Sequence, residues 1–373
     1  MQRRQFLAAG STLAIGAGLA GAPAIAAAQE QRRFEPRRAA GWRTFEVTTR
    51  VALREAGPAK VWIPLPGIDS DYQRSVNNRW SGNAASSRVV SDGTYGAPML
   101  MADFSSAAEP PVIEVTSLVQ ARDRSADLRR PGSGGRLGAA DAAFWTAPTA
   151  LKPTDGIVRA MAQRITRGEA TDVGKARAIY QWIVANAHRE PSTPGCGIGD
   201  IRVMLETGNL SGKCADLNAL FVGMARSVGL PARDVYGVRV APSAFGYKEL
   251  GSADNGSITK AQHCRAEVWL QQHGWVAMDP ADVLKVMRLE TGEWIKDPSH
   301  PVARPVNAAL FGGWEGNWIG YNHANDVTLP GSGNQQIGFA MYPQALNAKG
   351  MFDCLKPETF VYTIQARELG SVA

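Results

Sequence analysis

Cysteine and histidine are scarce in this chain, with four cysteines and five histidines in 373 residues. No two cysteines form a CxxC pair, and none alternates with histidine at zinc-ligand spacing. No metal and no cofactor is therefore expected. Long apolar runs are also missing from the body of the chain, so no internal segment has the length of a transmembrane helix. Basic residues outnumber acidic ones only 40 to 34, and the pairs Arg32-Arg33, Arg37-Arg38 and Arg129-Arg130 lie in polar, Pro/Gly-bearing stretches. Without a basic helix, finger or aromatic-basic platform, nucleic acid is not an expected partner; a solvated basic surface accounts for the charge. No internal repeat is visible.

What is present begins with ordinary globular composition, 45% hydrophobic and 20% charged, enough for two or three packed units. The first residues, Met1-Gln2-Arg3-Arg4-Gln5-Phe6-Leu7, put two arginines before a small-residue apolar stretch ending in Ala26-Ala27-Ala28. That is the layout of a secretory signal, and it resembles the twin-arginine type, an address and not an anchor. Residues 1–28 are expected to be removed, which takes the formal charge from +6 to +4 by loss of Arg3 and Arg4. The mature protein is expected in the periplasm or secreted, with no stable membrane anchor. In an oxidising compartment four cysteines allow two disulfides. If one is a nucleophile, at most one bridge remains, and Cys196 pairs with Cys264 or Cys354 or stays free.

After a linker over 29–42, residues 43–120 alternate apolar and polar side chains in short β-branched runs. Phe45-Glu46-Val47-Thr48-Thr49-Arg50-Val51 and Lys60-Val61-Trp62-Ile63 are examples, and they predict a small β-sandwich-like domain. Residues 121–150, rich in Arg, Asp, Gly, Ser and Pro, read as a second linker. Over 151–290 the period turns helical. A helix capped by Thr154 or Asp155 is followed by one opening near Asp172, with Ala176, Ile179, Tyr180, Ile183 and Val184 on one face. A third runs from Cys214 to about Val228 and ends at Gly229. Strands come next at Val235–Val240, His263–Leu270 and Trp275–Met278, so the unit is α+β. Residues 291–373 form a C-terminal extension with an aromatic-rich loop and strand-like Gln336–Met341 and Phe360–Gln365.

Cys214 comes directly after Gly212-Lys213 and opens an amphipathic helix, where free backbone N–H groups and the helix dipole favour a thiolate. His263 begins one strand and Asp279 ends the next. The four-residue turn Gln271-Gln272-His273-Gly274 between them folds both to the same end of a hairpin. A carboxylate there fixes the imidazole tautomer and stabilises imidazolium, the third role in a catalytic triad.

Gly212-Lys213-Cys214-Ala215-Asp216 with Gly229-Leu230-Pro231-Ala232-Arg233 resembles the core signature of the bacterial transglutaminase-like superfamily. His263-x-x-Ala-Glu267-Val and Gly274-Trp275-Val-x-x-Asp279-Pro280 fit the same pattern, which covers residues 172–282. The resemblance implies a papain-like core with a Cys-bearing helix packed on an antiparallel sheet, and Cys214, His263 and Asp279 as nucleophile, base and orienter. It also implies a thioester mechanism on amide bonds of peptide or protein substrates, cell-wall peptides among them, ending in hydrolysis or transamidation. His263-Cys264-Arg265 departs from the usual His-Ala-Trp. Asp69-Ser70-Asp71 is too short for the acidic loop of calcium-dependent relatives.

Among secondary candidates, Trp314 and Trp318, set among glycines, are expected either to wall the substrate groove or to pack a core. Asn209 is a candidate oxyanion donor, and Asp216 and Asn218 are expected to tie neighbouring loops. The competing class of function is a catalytically inactive binding or structural protein on the same fold.

Overall fold

The computed structural model describes Phe34 and residues 41–105, 109–130, 132–252 and 255–372. The expected signal segment, 1–28, lies outside the described residues.

Thr171 caps the helix Asp172–Asn186 by accepting from the Gly174 N–H at 3.0 Å. Its Ala176, Ile179, Tyr180, Ile183 and Val184 are buried, the face that three-and-four spacing predicts. Helix Cys214–Ser227 differs: every residue from Cys214 to Arg226 is buried. A helix apolar on nearly all sides lies inside a core, and this one is enclosed by helices Gly156–Ile165 and Asp172–Asn186 on one side and strands Ala232–Arg239 and Gln262–Leu270 on the other. Gly229, at φ +84°, ends it in the left-handed conformation that glycine adopts without strain.

The sheet beneath that helix has four antiparallel strands in the order Gly274–Met278, Gln262–Leu270, Ala232–Arg239, Trp318–Asn322. In the hairpin Ala266 pairs with Met278 and Leu270 with Gly274. His263 thus stands three residues beyond the last pair, on the side where the chain continues past Met278. There it turns into a helix, Pro280–Leu289, with Asp279 as its N-cap and Pro280 in its first turn. Pro280 ends the strand as expected, but it also starts this unforeseen helix, because proline's fixed φ suits a first helical position.

The remaining sheets are antiparallel, apart from one two-residue parallel pairing beside the nucleophile. One larger sheet runs Val361–Val372, Trp42–Ala52, Val112–Ala121, Gln73–Gly82; the other runs Gly350–Met351, Gln344–Asn347, Ala59–Pro64, Pro98–Phe104, Ser86–Ser91. Val51, Val61, Ile63, Leu100, Ile113 and Phe360 close on a shared apolar cluster between them. Residues from beyond 340 therefore complete sheets begun before 65. Within 121–150 the chain forms a short strand, Arg124–Ser125, and the helix Ala139–Thr146. Among the described residues no helix is long and apolar enough to cross a membrane.

Candidate active site

The Cys214 helix is held at its start by one buried carboxylate. Asp216 accepts from the N–H groups of Lys213 (2.9 Å), Ile198 (2.9 Å) and Gly199 (2.8 Å), tying the 193–200 loop to the helix as expected for a polar residue there. Gly197 makes this possible. Its φ is +91°, and a Cβ built on it would lie 1.8 Å from Asp216 Oδ2. The loop lays Cys196 against the helix, where the Ala215 N–H donates to its carbonyl at 2.9 Å and its Sγ donates to the Gln262 carbonyl at 3.4 Å.

The sulphurs of Cys196, Cys214 and Cys264 consequently lie within 4.8 Å of one another, all buried, and all four cysteines are free thiols. Cys214 is only 2% exposed yet lines a cavity of about 230 Å³ together with His263 and Gln262.

His263 Nε2 hydrogen-bonds Asp279 Oδ2 at 2.7 Å and lies 3.3 Å from Asp282 Oδ2. With Nε2 engaged, the other ring nitrogen is the one left for Cys214, whose thiolate the neighbouring imidazole favours. Asp279 Oδ1 accepts from Asn218 Nδ2 (3.3 Å) and from the Asp282 N–H (3.1 Å), and Asn218 donates to the Cys264 carbonyl as well (2.8 Å). Asp282 Oδ1 takes Arg239 Nη2 at 2.5 Å.

Burial and the Arg239 charge push the His263 pKa down. The Asp282 and Asp279 carboxylates outweigh them and carry it up to about 9. The neighbouring Cys196 and Cys264 thiols, with the His263 imidazole and its charge, hold Cys214 well below the usual thiol range against its burial. Burial alone would raise Asp282, but Arg239 and His263 keep it well below the ordinary carboxylate value. Asp279 is raised, by burial and by the Asp282 charge beside it. The arrangement thus favours a thiolate beside an imidazolium, with the Asp282 carboxylate behind it.

Residues 159–280 match the family model of the transglutaminase-like superfamily. A Haemophilus influenzae protein, described as uncharacterized, is 32% identical over 327 residues, covering 84% of this chain and 87% of its own length. The chain belongs to the transglutaminase-like superfamily. A crystal structure from Cytophaga hutchinsonii, described as a candidate cysteine protease, has a TM-score of 0.53 at 13% identity and covers 89% of this chain and 92% of that one. At that identity the likeness is one of fold.

The superfamily match contains Cys214, His263 and Asp279 and stops short of Asp282. Of the two places expected for Trp314 and Trp318 the structure shows the core, not a groove wall at the site: they are 1% and 2% exposed and line neither the cavity at Cys214 nor the one at Cys196. Trp318 Nε1 donates to the His263 carbonyl at 3.0 Å, and the Trp314 and Trp318 rings receive the buried Arg265 guanidinium at 5.1 and 4.7 Å. They brace the base from behind. Asn209 is exposed on a turn, where its Oδ1 accepts from the Ser211 hydroxyl at 2.6 Å, and it is not among the residues lining the Cys214 cavity.

Residues not foreseen at the site are Asp282, Arg239, Gln262 and Arg189. Only Asp282 has a sequence signal: Asp279-Pro280-x-Asp282 is a helix start, with Asp at the N-cap, proline first and an acid in the first turn. Gln262 lines the cavity, and its Nε2 is buried without a hydrogen-bond partner.

Proposed function

We propose that the protein is an exported thiol enzyme that cleaves or transfers the acyl group of amide bonds in peptide-like substrates through a Cys214 thioester. The observation that carries this reading is the buried His263–Asp279 hydrogen bond at a cavity that Cys214 and His263 line together. In this reading the Cys214 thiolate attacks the amide carbonyl carbon, the C–S bond forms, and the carbonyl electron pair moves to oxygen. Gln262 Nε2, a donor with no other partner, is our candidate to receive that oxyanion. As the C–N bond breaks, the His263 imidazolium gives its proton to the departing amine. Water or a second amine then attacks the thioester, passes a proton to His263 and expels the thiolate. Asp279 and Asp282 keep the ring oriented and its charge balanced throughout.

In this reading the enzyme works in the periplasm or outside the cell, and the composition of residues 1–28 supports such export. The activity is tested by incubating the protein, and Cys214→Ala beside it, with a peptide library and a labelled amine, followed by mass spectrometry. Cys214-dependent cleavage identifies a hydrolase, and Cys214-dependent label incorporation a transamidase. Equal, background levels of product from both proteins would leave an inert binding protein and overturn the proposal.

A further inference from the structure

Two cavities meet beside the site, at Gln262. The one holding Cys214 and His263, of about 230 Å³, and a neighbour of about 300 Å³ against Cys196 share Arg189, Lys260 and Gln262. Their charged lining is of one sign. Arg239, Lys285 and Lys213 join Arg189 and Lys260, and no aspartate or glutamate lines either cavity. Two of these cations are neutralised: Arg239 by Asp282, and Lys285 by Glu249 at 3.4 Å. Among the described residues Arg189, Lys213 and Lys260 have no carboxylate partner.

Arg189 is the fixed member of the three. It lies in the two-residue strand His188–Arg189, which pairs in parallel with Ser211–Gly212, so that Arg189 faces Gly212 in register, two residues before the nucleophile. Its Nε is buried without a hydrogen-bond partner. The Lys213 pKa is lowered, by burial first and by the Arg189 charge next, which together outweigh the pull of Cys214 and Glu190. The fold thus holds like charges together at the mouth of the site, an arrangement that an incoming anion relieves. The rest of the second cavity is largely aromatic and aliphatic, with Tyr342, Leu355, Phe360 and Tyr362.

We propose that the acyl donor is an acidic peptide, whose carboxylate next to the scissile amide is received by Arg189 with Lys213 and Lys260 while an apolar side chain enters the second cavity. This rests on Cys214 being the acyl-transfer nucleophile. A guanidinium whose Nε–H lacks a partner is suited to a planar carboxylate.

The first test needs no turnover. Rates of Cys214 alkylation by iodoacetate, an anion, and iodoacetamide, its neutral analogue, are compared, with the site read by peptide mass spectrometry. The His263 imidazolium and Lys213 are common to all variants, so changes in the ratio isolate Arg189 and Lys260. In Arg189→Gln/Lys260→Gln the iodoacetate-to-iodoacetamide ratio is expected to fall about tenfold, and in wild type to fall with added salt. A ratio unchanged by the double substitution overturns the proposal. The second test compares peptides that differ only in Glu against Gln beside the scissile amide. The acidic peptide is expected to have about tenfold higher kcat/KM, through KM, with that advantage lost in Arg189→Gln. Equal Cys214-dependent cleavage of both peptides would sink the charge proposal and leave the thiol-enzyme reading standing. Anion-selective alkylation without any amide turnover would overturn the thiol-enzyme reading and the acyl-donor proposal with it, leaving only an anion-receiving site.

Discussion

An imidazole nitrogen approached by two carboxylates titrates differently from one held by a single acid, and His263 Nε2 has both Asp279 and Asp282 within 3.3 Å. Raised to about 9, it stays protonated through neutral pH. The imidazolium is needed to protonate the leaving amine, so kcat/KM is expected to fall as pH rises through about 9, which a pH–rate profile would reveal. An upper limb near the ordinary histidine value of 6.5 would contradict the role assigned to the acids. The same shift contributes to folding: fully below 6.5, and lost as pH rises through about 9. Asp282 carries a separate burden, because Arg239 is buried and has it as ion-pair partner. Asp282→Ala strands that guanidinium and is expected to cost about 3–5 kcal/mol in urea unfolding, more than a surface ion pair could. Gln262→Ala, by contrast, removes a donor with no ground-state partner. It is expected to leave stability nearly unchanged while lowering kcat by about 10²-fold, as measured by steady-state kinetics.

At the scale of elements, the site is a junction of a loop, a helix N-terminus and a hairpin. The hairpin is legible in the sequence because its turn is short: Leu270 opposite Gly274 forces His263 toward the residues after Met278. The Cys214 helix is legible from its spacing and from Gly229. Helix Pro280–Leu289 is less so, since a proline after a strand marks a stop as readily as a helix start, and Asp282 is hidden with it. Trp314 and Trp318 sit in a Gly/Trp/Asn-rich stretch without periodicity, where composition does not separate a groove wall from a brace. The place of Arg189 depends on a two-residue parallel pairing with Ser211–Gly212, which no local pattern announces. The loop that seats Cys196 has its own weak point. Gly197→Ala is expected to force Asp216 off the Ile198 and Gly199 N–H groups, lowering the melting temperature and slowing Cys214 alkylation together. Normal alkylation in a protein of normal stability would show the loop does not set the nucleophile.

Across the whole molecule, the pairings that finish the architecture are long-range. Strand Val361–Val372 pairs along Trp42–Ala52, and Gln344–Asn347 pairs with Ala59–Pro64. Each of these strands is readable alone, but alternation says which face is buried and not which distant partner supplies the hydrogen bonds. The thiol cluster is likewise a product of the complete fold, since Cys196, Cys214 and Cys264 come from a loop, a helix and a strand and meet within 4.8 Å. That proximity has a chemical consequence under oxidation. Peroxide converting Cys214 to a sulfenic acid would do so beside a waiting thiol. Condensation with Cys196 releases water and yields a disulfide before further, irreversible oxidation proceeds. Treated with peroxide, the folded protein is expected to lose alkylatable Cys214 and regain it with dithiothreitol, whereas Cys196→Ser/Cys264→Ser, which lacks both neighbouring thiols, is expected to accumulate the irreversible sulfinic form, both seen by peptide mass spectrometry. The neighbours that hold the Cys214 thiolate at low pKa would then also shield it from permanent damage.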